Sequence, residues 1–318
     1  MKKITSSLIS LVFMLFLLGC QDENINGENH GSLETQDASE IELNDSSNNE
    51  ETTHSNNSAE RIVATTVAIT EIMDKLELDL VGIPTSYKDL PERYAEATEV
   101  GNPMSPDMEL ILSLQPTHVL SVTTLESDLA DVFAQHNVAT SFLDLTSIDS
   151  MFAEIFTLAE QYNRSEQAET LMNNFNEKIT AIEARVADQE APKVLILMGI
   201  PGSYIVGTEH SYIGDLVKRI GGENVITDRN EEYISANTEY LQQLNPDIIL
   251  RAAHGAPEEV VKMFDREFAE NDIWKHFKAV QDGRVYDLEE TRFGTTANLA
   301  AIEALEELVT ILYPELSN

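Results

Sequence analysis

Two side chains in this sequence have types and placements that could do chemistry, and they lie far apart along the chain. His254 follows an apolar run, Asp247 to Ala253, and precedes Gly255, which puts an imidazole at the end of an expected strand beside a flexible neighbour. A neutral imidazole is a common metal ligand, although position alone serves a ligand and an ordinary loop histidine equally well. Met104 lies in Gly101-Asn-Pro-Met-Ser-Pro-Asp-Met-Glu109. There Ser105 is expected to cap a helix, Pro106 to take its first position and Asp107 to favour its positive end. Met104 would then precede the cap, where a hydrophobic staple normally reaches the fourth helical residue. That residue is Glu109, so the staple has no apolar partner and the thioether is free to point elsewhere. A thioether is a soft ligand, suited to iron in a haem.

The chain's one cysteine is Cys20, which leaves no internal disulfide and no Cys-rich metal site. Lys2 and Lys3 precede an apolar run from Leu8 to Leu18, short for a membrane span and matching a secretory signal. The run closes on Leu17-Leu18-Gly19-Cys20, which resembles a bacterial lipobox. Residues 1–20 are therefore expected to be a lipoprotein signal peptide, with Cys20 the diacylated N-terminus that anchors the chain to the outer face of the cell membrane. Residues 21–60 hold eleven acids, no Lys or Arg and few apolar side chains, the composition of a disordered acidic tether.

Over the whole chain 56 acids face 20 bases, a formal charge of −36. Such a chain repels phosphate backbones and anionic bilayers, which excludes nucleic acid as a partner and leaves the Cys20 anchor as the contact with lipid. No G-x-S-x-G, H-E-x-x-H, P-loop or dinucleotide fingerprint occurs, so the chain does not read as an enzyme. His118, His136, His210, His254 and His276 share no metal-ligand spacing.

The elements that must position Met104 and His254 alternate between strand and helix. Arg61 to Thr65 and Leu80 to Ile83 read as strands around a helix with Ile69, Ile72, Met73 and Leu76 on one face. Pro116 to Val122, a helix through Leu125, Leu129 and Phe133, and Ala139 to Leu143 continue the pattern. From Ser150 to about Gln189 the periodicity is helical and almost unbroken, as befits a long spacer. After Pro192 the alternation resumes with Val194 to Met198, a helix from Tyr212 to Ile220, Pro246 to Ala253, a helix after Pro257, Arg284 to Tyr286 and a closing helix from Thr296 to Leu312. A weak repeat at an offset of 130 relates Glu109 and Leu114-Gln-Pro-Thr-His-Val-Leu120 to Glu239 and Leu244-Asn-Pro-Asp-Ile-Ile-Leu250. The expected fold is α/β, with two Rossmann-like lobes, 61–150 and 191–318, joined by one long backbone helix within 151–190. A ligand would sit where the carboxyl ends of the strands face each other.

Several long motifs carry a resemblance. Arg61-Ile-Val-Ala-Thr-Thr-Val-Ala68, Gly82-Ile-Pro-Thr-Ser-Tyr87, Gly101-Asn-Pro-Met-Ser-Pro106, Ser121-Val-Thr-Thr-Leu-Glu126, Ile248-Ile-Leu-Arg-Ala-Ala-His-Gly255, Asn271-Asp-Ile-Trp-Lys-His-Phe277 and Phe293-Gly-Thr-Thr-Ala-Asn298 span residues 61–318. Together they resemble the haem-receptor lipoproteins of the iron-regulated surface determinant system of Gram-positive bacteria. The resemblance implies a class III solute-binding fold, haem b as the transported ligand, an ABC permease as the partner, upstream cell-wall haem-transfer proteins as donors, and a monomer. It implies that the iron is ligated by a methionine of one lobe and a histidine of the other, which by motif are Met104 and His254. It also implies that Glu109 and Glu239 dock on the permease, one from each lobe.

Haem carries two carboxylates, so an acidic protein needs local donors, and backbone N–H groups at helix starts suit them. Thr65, Thr66, Val67 and Ala68, where a strand meets a helix, and Ser86 and Tyr87, in the loop after the next strand, are the expected haem-binding positions. A siderophore (ferric hydroxamate) or corrinoid receptor of the same fold is the alternative. Its pocket would be lined by Arg, Tyr and Trp, for which Arg251, Arg292 and the one tryptophan, Trp274, are available. Tyr87 as an axial ligand in place of Met104 also remains open.

Overall fold

The computed structural model describes residues 60–235 and 237–317. The expected signal peptide, Cys20 and all but the last residue of the expected tether lie outside the described residues. The remainder forms one compact unit.

In the first lobe the strands β1 (Ile62–Ala64) and β2 (Leu80–Ile83) flank the helix α1 (Val67–Lys75). Thr66 caps α1, its hydroxyl accepting the Ile69 N–H, and Ile69, Ile72 and Met73 are fully buried at helical spacing. Each such side chain contributes about 1.5–3 kcal/mol relative to exposure. Next come β3 (Thr98–Glu99), a hairpin of β4 (Gly101–Asn102) and β5 (Ser105–Pro106), the short helix α2 (Met108–Ser113), β6 (His118–Val122), α3 (Glu126–Gln135) and β7 (Thr140–Leu143). The sheet order is β3-β2-β1-β6-β7, all parallel. The chain leaves β1 in one direction to β2 and later returns to its other side as β6, so a topological switch point lies at the end of β1, where crevices form in such sheets.

The expected helical spacer is divided into α4 (Ile148–Gln161) and the 22-residue α5 (Ser165–Val186). Asn163, with φ 56°, sits in a left-handed conformation that α-helix does not allow, which ends α4 and lets α5 start in a new direction. Arg219 binds this connection to the second lobe: its guanidinium reaches Asp149 of α4 at 2.6 Å, Glu183 of α5 at 3.7 Å and Asp215 at 3.1 Å. Asp215 in turn accepts the Ile148 N–H at the start of α4.

The second lobe is built from β8 (Lys193–Ile200), β9 (Ser203–Gly207), α6 (Tyr212–Arg219), β10 (Glu223–Asn224), β11 (Tyr233–Ile234), α7 (Thr238–Gln243), β12 (Ile248–Ala253), α8 (Pro257–Glu270), α9 (Lys278–Gln281), β13 (Val285–Leu288) and α10 (Ala301–Leu312). Its main path runs β11-β9-β8-β12-β13, with β9 antiparallel to both β11 and β8, and β8, β12 and β13 parallel. The sequence reading passed over β9, β10 and β11. Gly202, with φ +85°, makes the tight turn that folds β9 back on β8, and the Pro201-Gly202 pair was its signal. The closing helix begins at Ala301 rather than Thr296, because Ala297 donates its N–H to Leu145 of the first lobe and Asn298 turns the chain through its side chain to Ala300.

The repeat is visible in the backbone. At the shared offset, α2 and α7 are six-residue helices, each followed by a left-handed residue, Gln115 at φ 49° and Asn245 at φ 48°, then a proline and the strands β6 and β12. Among the described residues no helix is long and apolar enough to cross a membrane.

Candidate functional site

Sheet register decides what surrounds His254. Parallel pairing sets Ala252 of β12 against Leu288 of β13, so His254 and Glu290, each two residues further on, leave the sheet side by side. The His254 N–H is fixed by the Gly199 carbonyl at the end of β8, 2.9 Å away. Gly255, at φ +85°, then turns the chain so that its own N–H donates to Glu290 Oε1 at 3.1 Å. A side chain at that φ would be strained, which accounts for glycine after the histidine. His254 Nδ1 also lies 3.1 Å from Glu290 Oε1, close enough to pair, though without the alignment of a full hydrogen bond.

Glu290 was not singled out from sequence, yet it is the centre of the cluster. It is 5% exposed and is the one buried carboxylate among the described residues. The Tyr87 hydroxyl, from the loop after β2 in the other lobe, donates to its Oε2, and Lys88 Nζ donates to its main-chain oxygen at 3.3 Å. Burial pushes the Glu290 carboxyl up, but the His254 ring, the Tyr87 hydroxyl and the Gly255 N–H outweigh it and hold the group at about 2. Burial and the Glu290 carboxylate push the Tyr87 phenol above its ordinary range.

Met104 is placed differently from the expectation. Ser105 does not cap a helix: it pairs with Asn102 in the hairpin, and Pro103-Met104 form the two-residue tip. Asp107 is the cap of α2, its Oδ1 accepting the N–H groups of Glu109 at 2.9 Å and Leu110 at 3.1 Å. The hairpin takes Ser105 and Pro106 as its second strand, and Gly101, at φ +98°, lets the Asp107 N–H close it on the Val100 carbonyl, so the cap falls to Asp107. The conclusion that the thioether has no staple survives by another route, since Met104 is 62% exposed at the tip. Asn102 Oδ1 accepts the Met104 N–H at 2.9 Å and stiffens the turn. Thr85 donates its N–H to Gly101 at 2.9 Å, so the hairpin and the Tyr87 loop share a brace.

Of the expected donors, Thr65 is engaged: its N–H and its hydroxyl both go to the Leu120 carbonyl, at 3.0 and 3.1 Å. That corrects its expected role as a free donor. The N–H groups of Val67 and Ala68 begin α1, and helix geometry leaves them without intrahelical acceptors. Ser86 accepts the Lys88 N–H at 3.0 Å and so shapes the loop that carries Tyr87. Glu109 and Glu239 are both exposed and occupy the second position of α2 and α7. Arg251 is committed to Asp287 at 2.6 Å and Asp265 at 3.1 Å, stacked between Phe264 and Phe268. Arg292 pairs with Glu289 and Glu307, and Trp274 is fully buried with its indole N–H on Glu267.

A second interlobe feature lies elsewhere. A cavity of about 480 Å³ is lined by Thr123, Asp144 and Thr146 of the first lobe and by Glu209, His210 and Glu232, among others, of the second. None of the expected haem-binding, ligating or docking residues lines it. Burial, then the Asp144 charge, pushes the Glu232 carboxyl up to about 7.

Comparison with known proteins bears on the family and the fold. The Staphylococcus aureus high-affinity heme uptake system protein IsdE is 53% identical over 256 residues, 80% of this chain and 88% of that protein. Its crystal structure complexed with heme superposes with a TM-score of 0.77, over 80% of this chain and 98% of that one. An ABC transporter substrate-binding protein from Listeria monocytogenes EGD-e is 59% identical, with a TM-score of 0.77 over 80% of this chain and 99% of that one. Both share the class III architecture of two α/β lobes and a helical connection. With the periplasmic binding protein profile matching residues 62–291, the chain belongs to that family, whose members bind and deliver solutes rather than transform them.

Proposed function

We propose that this protein is a haem receptor that holds the porphyrin between its lobes, with Met104 and His254 as axial ligands of the iron, and hands it to an ABC permease. The observation that carries the reading is the interlobe cluster of Tyr87, His254 and Glu290 in a chain 53% identical to a heme uptake protein. Haem is the cargo here, and a thioether with an imidazole leaves the iron no open position for oxygen chemistry, which favours carriage over reaction. The stiff hairpin presents an exposed sulfur, and the end of β12 presents the ring. The N–H groups of Val67 and Ala68, at the switch point, offer hydrogen bonds to a propionate that the net charge of the protein would otherwise repel.

Glu109 and Glu239, at equivalent places on α2 and α7, serve as the permease contacts, one per lobe. Each has an apolar neighbour that is itself exposed, Leu110 at 38% and Tyr240 at 42%, which suits a patch covered on docking. Cys20 anchors the chain to the membrane, cell-wall proteins supply the haem, and the receptor acts as a monomer. Because the ligands come from different lobes, docking that separates the lobes would release the cargo.

Haemin titrated into the purified protein tests the reading. Saturation at one haem per chain with a six-coordinate low-spin spectrum is expected, and His254→Ala is expected to abolish that spectrum. No uptake, or a high-spin spectrum indifferent to His254→Ala, would refute the ligand assignment.

A further inference from the structure

We infer that Glu290 is the positioning residue of this site: it fixes the His254 ring through Nδ1, leaving Nε2 to bind the ligand, and couples that ring to the opposite lobe through Tyr87 and Lys88. The inference deepens the haem reading and rests on it for the identity of the ligand, though not for the geometry. A carboxylate buried to 5% exposure is costly unless donors surround it. Here they come from both lobes. Oε1 takes the Gly255 N–H at 3.1 Å and has His254 Nδ1 at the same distance, Oε2 takes the Tyr87 hydroxyl, and the main-chain oxygen takes Lys88 Nζ.

His254 Nδ1 is buried without an aligned hydrogen-bond partner among the described residues, and Glu290 Oε1 lies within reach of it at 3.1 Å. The Gly255 N–H and the Tyr87 hydroxyl both donate to the Glu290 carboxyl group, which therefore presents acceptor oxygens to the ring, and a proton on the facing nitrogen is the form that suits them. The lone pair then resides on Nε2, the form in which a neutral imidazole binds a metal. Groups that hold a ligating histidine by its other nitrogen commonly govern affinity by 10- to 100-fold. What this fold adds is the second attachment. The same carboxylate that orients the ring is held from across the lobes, so moving the first lobe away removes two of the contacts that keep Glu290 in place. The ring would be loosened at the moment the opposite ligand withdraws.

Two-bond ¹H–¹⁵N correlation spectra of the ligand-free whole chain, labelled at histidine, test this without haem. The expected result is an Nδ1–H tautomer for His254, a mixture of tautomers in Glu290→Ala, and restoration in Glu290→Gln, which keeps a carbonyl acceptor. Tyr87→Phe, which touches only the interlobe contact, is expected to shift the His254 ring resonances although the phenol does not contact the ring. An unchanged tautomer in Glu290→Ala, or no shift in Tyr87→Phe, would overturn the positioning role or the coupling respectively. In the loaded protein Glu290→Ala is expected to weaken haem affinity by about 10- to 100-fold. Tautomer responses as expected in a protein that takes up no haem would sustain the positioning role and overturn the haem reading.

Discussion

Tyr87 and Met104 are the two most exposed large apolar side chains among the described residues, at 63% and 62%. Both stand on turns that the chain braces carefully, through the Thr85 to Gly101 and Asn102 to Met104 hydrogen bonds. A thioether held in water on a stiffened tip contributes little to folding, so its placement is explained by what it meets when ligand arrives. Met104→Leu is accordingly expected to leave the ligand-free melting temperature within the range of a neutral surface change, about 0.5 kcal/mol. The same substitution is expected to convert the haem-loaded spectrum from low-spin to high-spin. A large loss of stability in the free protein would mean that the side chain is part of the core in solution.

Among the elements, β8 holds the His254 main chain and α8 packs over β8 at the same point. Gly199 at the end of β8 accepts the His254 N–H, and its missing side chain gives α8 room: a Cβ there would lie 2.3 Å from Val260 and 2.6 Å from Phe264. Gly199→Ala must push α8 off the sheet, at a cost of about 1–3 kcal/mol. Differential scanning calorimetry is expected to show a melting temperature lower by several degrees, and haem binding should weaken because α8 begins directly after the His254 turn. Unchanged melting would show that the helix shifts freely.

The same scale shows what the sequence makes legible and why the rest was hidden. β1, α1, β2, β6 and β12 were readable because each is a buried parallel unit with a continuous apolar run or a clear helical face. The repeat at an offset of 130 is readable because a Glu, a Leu-x-Pro turn and an apolar strand recur at the same spacing. β9 and β11 were not, since they form an antiparallel edge whose pairing depends on the Gly202 turn and on contacts with Gly207 and Val206. The neighbours of Ser105 fit a helix cap, but the hairpin closed at Gly101 takes the serine into a strand instead. His254 could be named from its place at a strand end. Glu290 stands at the equivalent end of the next strand, and in a chain with 56 acids one more Glu carries no contrast; only the β12–β13 register reveals it.

At the scale of the whole molecule, the lobes meet in two electrostatically opposite ways. Around Glu290 donors from both lobes surround one carboxylate, whereas across the cavity Glu232 faces Asp144, a carboxylate of the other lobe, with Glu209, His210, Asp215 and Lys218 also on its walls. Glu232 is raised in the folded state, so its contribution to stability is full below its unfolded value of 4.5 and is lost as pH rises through about 7. The melting temperature of the ligand-free protein is therefore expected to rise as pH is lowered from 8 to 5.5. Glu232→Gln should flatten that slope, and an equally steep slope in the variant would place the titration elsewhere.

The central claim is that one iron is gripped from both lobes. A crystal structure of the protein loaded with haem tests it directly. Met104 Sδ and His254 Nε2 are expected on opposite faces of the porphyrin, with both at bonding distance from the metal. Tyr87 oxygen on the iron in place of the sulfur, or a ring nitrogen of His254 turned away from it, would contradict the account.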